Sequence, residues 1–115
     1  MNLKVNASSL GEKASAISLE GEVDVFTAPL LKQQIISLLD DGVTDITVDL
    51  GAVEYLDSTA LGVLIGGLKR LRERDGTLSL VIPNPRIRRI FEITGLDKIF
   101  DIYQTQDEAL GSKGG

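Results

Sequence analysis

The sequence predicts an α/β fold in a single domain, with a mixed, mostly parallel β-sheet covered by amphipathic helices. Short segments with apolar residues at every second position alternate with longer segments whose apolar residues recur at helical spacing. Strands that alternate with helices pair most economically in parallel, because each helix returns the chain to the same end of the sheet. At 115 residues, of which 43% are hydrophobic and 25% charged, the chain is long enough for one core.

The chain begins with a predicted hairpin. Residues 3–9 and 15–20 each alternate apolar with polar side chains, and the turn residues Gly11 and Glu12 lie between them. Gly21 then interrupts the pattern. These features predict two neighbouring antiparallel strands at the start of the sheet.

A helix and a third strand are predicted next. Thr27 supplies a capping hydroxyl just before an early proline, and residues 28–41 carry an apolar stripe with polar residues away from it. Residues 45–50 then alternate as a strand. Residues 51–57 are predicted to form a short, rigid loop that carries the chain from this strand to the next helix.

The start of that next helix is the most informative stretch of the sequence. Asp57, Ser58 and Thr59 are three successive N-cap candidates in front of an apolar stripe. The first N–H groups of a helix lack partners within it, and the helix dipole makes this end partly positive, so a phosphate is favoured there. The cluster is therefore either a phosphoserine site or a set of simple caps, a cap being worth about 1 kcal/mol.

Three glycines lie inside the predicted helix, at positions 62, 66 and 67. Each costs about 1 kcal/mol relative to alanine, so the helix must gain something from them. They serve either for close packing against the sheet or for a flat surface that a partner can approach.

The last third of the chain predicts a strand at 77–82, a helix at 86–94, a strand at 100–103 and a helical turn at 106–110. The helix at 86–94 carries three arginines, which form either a solvated basic face or a docking patch for an acidic partner. The expected domain is 1–110, followed by a flexible tail at 111–115.

Composition excludes several classes of function. A net charge of -5 argues against direct binding to nucleic acid, which requires a basic face. The chain has neither histidine nor cysteine, so the commonest general base and the usual zinc ligands are absent, and we expect no enzyme activity, metal or cofactor. No apolar run approaches the roughly 20 residues that span a bilayer, and the expected location is the cytoplasm.

Two separated motifs identify a family. Residues 57–62, Asp-Ser-Thr-Ala-Leu-Gly, together with residues 21–29, Gly-Glu-Val-Asp-Val-Phe-Thr-Ala-Pro, resemble the bacterial anti-sigma factor antagonists, which are small proteins of the STAS fold. Residues 95–100 are also similar to the family. The resemblance extends from about Leu3 to Leu110.

The resemblance implies a protein-binding switch. The unphosphorylated form would bind an anti-sigma factor and free the sigma factor, and the anti-sigma factor, a serine kinase, would use ATP to phosphorylate Ser58. A serine phosphatase would reset the switch, and the free protein is expected to be a monomer. The resemblance also places Asp24 beside the phosphoacceptor. The other residues expected at the partner contact are Asp57, Thr59, Ala60, Leu61 and Gly62.

Two of these residues carry open questions. Without the resemblance, Asp24 reads as a solvated carboxylate in a polar turn, with Val23 and Val25 supplying the apolar contacts. Many family members have glycine where this chain has Ala60, so the first helical turn is expected to be firmer and access to Ser58 narrower.

Three other functions are alternatives to the switch. A scaffold subunit of a stressosome-like assembly has the same fold, but this chain shows no added sensor domain. A receiver domain phosphorylated on Asp57 would need an acidic pair after the first strand and a lysine after a late strand, and neither is found. A hydrolase that uses Ser58 would lack the histidine base.

Overall fold

A computed structural model describes residues 2–114, and for residues 112–114 only the backbone. These residues form five strands and four helices. The strands are β1 (Leu3–Ser9), β2 (Ala14–Val23), β3 (Asp45–Leu56), β4 (Thr77–Val81) and β5 (Asp101–Tyr103). The helices are α1 (Ala28–Asp40), α2 (Ser58–Arg72), α3 (Pro85–Ile93) and α4 (Gln106–Gly114), and a 3₁₀ turn at Leu96–Lys98 precedes β5.

The five strands form one sheet in chain order, from β1 at one edge to β5 at the other. β1 pairs with β2 in antiparallel orientation, and the three other pairs are parallel. The predicted α/β class with a mixed, mostly parallel sheet is therefore confirmed. Because β2, β3 and β4 run in the same direction, their carboxyl ends lie at one end of the sheet, where open α/β sheets place their binding sites.

Helices cover both faces of the sheet. α1 and α2 pack on each other, and their buried residues share one core with Ile17, Val48 and Leu80 of the strands. α4 lies on the opposite face, as shown by the hydrogen bond that the Gln106 amide donates to the Asp49 carboxylate at 2.8 Å. Asp49 follows Val48 directly, and successive strand residues point to opposite faces.

Two strands are longer than the sequence indicated, and the predicted loop at 51–57 was wrong. β3 continues to Leu56, so only one residue separates it from α2. β2 passes through Gly21, which adopts a φ of +117°, and ends at Val23. The register between β2 and β3 shifts between Ser18 and Glu20 and again between Gly21 and Glu22, and these irregularities break the period of two on which the prediction relied.

The glycines of α2 divide between the two predicted roles. Gly67 is buried, and a methyl group there would lie 3.1 Å from Cδ1 of Ile35 in α1, so its absence allows the two helices to pack closely. Gly62 is exposed, and a methyl group there would meet no atom within 4 Å. Gly62 therefore leaves a flat surface in the first turns of α2.

Two of the three arginines in α3 donate hydrogen bonds to backbone carbonyls in β3 or directly after β4. An Arg88 N–H donates to the carbonyl of Ile82 at 3.2 Å, and an Arg86 N–H approaches the carbonyl of Glu54 at 3.4 Å. Only Arg89 is exposed without a described partner of this kind. Anchoring of α3 is thus an additional role that the sequence did not indicate.

The predicted turn at 106–110 is part of α4, whose backbone continues to Gly114. The domain boundary at residue 110 and the flexible tail at 111–115 stay predictions, and Gly115 lies outside the described residues. Within residues 2–114, no helix is both long and apolar enough to cross a membrane.

Candidate functional site

Helix α2 begins at the predicted hydroxyl cluster, and each polar residue there has a distinct position. Asp57 is the N-cap: its backbone is extended, and its Oδ1 accepts a hydrogen bond from the N–H of Ala60 at 3.1 Å. Ser58 and Thr59 are the first two helical residues, and both are exposed. Because the carboxylate fills the capping role, the two hydroxyls are not needed as caps.

Two backbone N–H groups at this end of α2 remain free. The N–H of Ala60 bonds to the Asp57 carboxylate, and the N–H of Leu61 bonds to the Asp57 carbonyl at 3.1 Å. No acceptor in the described part of the chain takes the N–H of Ser58 or of Thr59. Free N–H donors at the positive end of a 15-residue helix favour an anion, and a phosphate attached to Ser58 would lie beside them.

The end of β2 lies against the start of α2. Val23 is in register with Leu56, and its carbonyl accepts a hydrogen bond from the N–H of Asp57 at 3.2 Å. Asp24 is the next residue and therefore lies next to the N-cap of α2. The carboxyl ends of β2 and β3 thus bring Asp24, Asp57 and Ser58 to the same end of the sheet.

Asp24 is buried, so its description as a solvated turn carboxylate was wrong. Only 5% of the residue is exposed, and its Oδ1 lies 2.9 Å from the N–H of both Phe26 and Thr27 and 3.1 Å from the Thr27 hydroxyl. Its Oδ2 is also buried, without a partner among the described residues. Burial raises the pKa of Asp24, but the hydrogen bonds from Thr27 and Phe26 together outweigh it, and the pKa lies below its ordinary value.

Thr27 closes the same turn instead of capping α1, so the predicted capping hydroxyl was wrong. Its hydroxyl lies 2.8 Å from the Glu22 carbonyl and accepts a hydrogen bond from the N–H of Asp24 at 2.9 Å. It makes no side-chain capping bond to α1. The N–H of Ala28 bonds to the Asp24 carbonyl at 2.8 Å, so the turn runs directly into the helix.

This turn leaves two apolar side chains in water, which sequence reasoning missed. Val23 is buried as expected, but Val25 is 57% exposed and Phe26 is 78% exposed. A usable signal was present: Asp24 is followed three residues later by Thr27 just before a helix, a spacing at which side chains bond to the N–H groups of a turn. Recognising that turn would have indicated that the residues between its ends point outward.

Comparison with known proteins identifies the family. Residues 10–109, which make up most of the chain, match the STAS domain. This chain belongs to the STAS domain family. The resemblance on which the sequence prediction rested is therefore confirmed.

The relatives of this STAS domain have a consistent name. The chain is 37% identical over 102 residues to the anti-sigma-B factor antagonist of Bacillus subtilis, a match that covers 89% of this chain and 92% of that protein. It is 38% identical over 104 residues to the anti-sigma-B factor antagonist of Staphylococcus aureus, covering 90% and 95%. A crystal structure of an anti-sigma factor antagonist from Mycobacterium paratuberculosis superposes with a TM-score of 0.87 at 34% identity, covering 96% of this chain and 93% of that one.

The remaining predicted contact residues lie in the first turns of α2 of the STAS domain. Ala60 is 1% exposed and belongs to the core, and the expected effect of its methyl group on access to Ser58 stays a prediction. Leu61 is partly buried against the core, and Gly62 is exposed. The role of these three residues in partner contact stays a prediction.

Asp24 should make the stability of this STAS domain depend on pH. Its folded pKa is lowered, so the stability contributed by the carboxylate is present above the unfolded pKa of about 4 and is lost as the pH falls through the folded value. Asp24→Asn should therefore flatten the dependence of Tm on pH below about pH 5. Calorimetry from pH 7 to pH 3 measures this, with the exposed Asp41→Asn as control. Equal slopes for wild type and Asp24→Asn would contradict the assignment.

Proposed function

We propose that this STAS domain is an anti-sigma factor antagonist controlled by phosphorylation of Ser58. Its unphosphorylated form binds an anti-sigma factor in the cytoplasm, and the sigma factor is released. The anti-sigma factor is a serine kinase that transfers a phosphoryl group from ATP to Ser58, and a serine phosphatase removes it. The names of the relatives support the first part of the proposal. The second part is carried by one observation: an exposed serine at a helix start whose cap is already supplied by Asp57.

Charge explains how the phosphate would end binding. A phosphate adds about -1.5 to -2 charge to a chain whose net charge is already -5, and it does so beside Asp57. In the free protein the helix end tolerates this charge, because the N–H groups of Ser58 and Thr59 are available as donors. In a complex the phosphate would be desolvated against the partner, and that cost opposes binding.

In this proposal the chain is a substrate and a binding partner rather than an enzyme. It has neither histidine nor cysteine to activate a nucleophile. Incubation with the anti-sigma kinases of the source organism and ATP tests the proposal. Incorporation of one phosphate together with displacement of a sigma factor supports it. If none of these kinases phosphorylates the protein and no sigma factor is displaced, the proposal is contradicted.

We expect phosphate on Ser58 and not on Thr59. The two hydroxyls are exposed on successive residues of α2, about 100° apart around the helix axis, so a kinase aligned with one does not reach the other. Mass spectrometry of the phosphorylated protein locates the modified residue. Thr59→Ala should be phosphorylated like wild type and Ser58→Ala not at all; phosphate on Thr59 with Ser58 unmodified would refute the assignment.

A further inference from the structure

Exposed apolar side chains are concentrated around the candidate site. Eight large hydrophobic residues are exposed in the described part of the chain, and four of them lie at this end of the sheet. We call these four the apolar rim: Val25, Phe26, Leu30 and Tyr55. Val25 and Phe26 are adjacent, and Leu30 follows in the first turn of α1. Single exposed hydrophobic residues are ordinary on a protein surface, but neighbouring ones are typical of an interaction site.

Phe26 is the most exposed of the eight, at 78%. Its side chain is in water although its backbone is fixed, because its N–H donates to the buried Asp24 carboxylate at 2.9 Å. The next residue, Thr27, is 7% exposed and is held by the same carboxylate. An aromatic ring on a fixed backbone loses little conformational entropy when it is buried by a partner.

The apolar rim borders the phosphorylation site. Phe26 lies two residues beyond Asp24, which is next to the N-cap of α2. Tyr55 is in register with Glu22 where β2 and β3 end, three residues before Ser58. A partner that covers both the Ser58 hydroxyl and the end of β2 would meet Phe26 in the same contact.

The charged residues around the rim restrict the chemistry of that partner. Neither residues 22–31 nor residues 53–68 contain a lysine or an arginine. Together they contain four carboxylates: Glu22, Asp24, Glu54 and Asp57. Two cations border this surface: Lys32, two residues beyond Leu30 in α1, and Arg86, which approaches the carbonyl of Glu54. An apolar pocket bordered by basic side chains is complementary to this surface.

We propose that the Phe26 ring is an anchor for the anti-sigma factor, inserted into an apolar pocket with a basic border and held in position by the turn from Asp24 to Thr27. This inference rests on the proposed function and adds to it a residue outside the helix that carries the phosphate. Aromatic anchors that fill a pocket at the centre of a contact commonly dominate its affinity. Phe26 would thus determine affinity while Ser58 determines the switch.

Calorimetric titration of an anti-sigma factor, with a nonhydrolysable ATP analogue to prevent phosphorylation, tests the anchor. Phe26→Ala should bind at least about 30-fold more weakly than wild type, and Phe26→Leu should recover most of the affinity. Ile93→Ala is the matched control, because Ile93 is 73% exposed but lies at the far end of α3. It should bind within about twofold of wild type, as expected for a residue outside the contact.

The outcomes separate this inference from the proposed function. Phe26→Ala should keep the Tm of wild type within about 3 °C, since the ring contributes little to the core. Affinity of Phe26→Ala within about threefold of wild type would overturn the anchor and leave the proposed function intact. If wild type itself bound none of the anti-sigma factors, the proposed function would be overturned and the anchor with it.

Discussion

Ser58→Asp is expected to bind the anti-sigma factor at least about 100-fold more weakly than wild type, whereas Ser58→Ala should bind persistently in the presence of ATP. The new carboxylate lies on the first residue of α2, next to Asp57, and a partner that covers it must desolvate two adjacent negative charges. Calorimetric titration measures the affinity of the aspartate variant. Retention of the complex after addition of ATP, followed by size-exclusion chromatography, measures the persistence of the alanine variant.

The structure of Ser58→Asp should differ from wild type only locally. A carboxylate at this position can approach the free N–H groups of α2 without movement of the chain, because Asp57 already caps the helix. Amide NMR spectra should therefore change near residues 24 and 58 and nowhere else. Thr59→Asp adds the same charge one residue away and should weaken binding less. Amide shifts throughout the sheet would replace this electrostatic account with a conformational one.

Gly21→Ala is expected to lower the free energy of unfolding by about 3 kcal/mol or more, with a decrease in Tm of more than 10 °C. Gly21 adopts a φ of +117°, which residues with a side chain rarely adopt. A Cβ there would also overlap the carbonyl oxygen of Asn2, which accepts a hydrogen bond from the N–H of Glu22 at 3.1 Å. Thermal and urea unfolding measure the loss.

Gly62→Ala is the matched control, and its effect should have the opposite sign. It lies in α2, has no unusual φ, and a methyl group there meets no atom within 4 Å. Alanine is the better helix former, so this variant should be more stable than wild type by about 0.5–1 kcal/mol. Comparable destabilisation by both substitutions would show that strain at Gly21 is not the cause.

The fold could be predicted from the sequence where local periodicity was regular. Helices α1, α2 and α3 each begin within one or two residues of the predicted start, because their apolar stripes are long enough to indicate a helix without knowledge of the neighbouring elements. The second half of β3 could not be predicted in this way. Gly51 and Ala52 are both exposed, so the alternation fails within the strand, and only pairing with β2 keeps that segment extended.

The candidate site could be predicted in position but not in detail. Helix dipole and capping chemistry left the cluster at 57–59 as either an anion site or a set of caps, and the family resemblance indicated Ser58, which lies at an exposed helix start. The burial of Asp24 was not predictable from its polar neighbours, because it depends on bonds to N–H groups in its own turn. The outward position of Phe26 follows from the same turn and was missed with it.

The most direct test of the phosphorylation switch uses the phosphorylated protein itself. Protein carrying a single phosphate on Ser58 is titrated into the anti-sigma factor by calorimetry, beside unphosphorylated protein under identical conditions. The account predicts tight binding of the unphosphorylated form and affinity reduced at least about 100-fold for the phosphorylated form, with recovery after phosphatase treatment. Equal affinity of the two forms would contradict it.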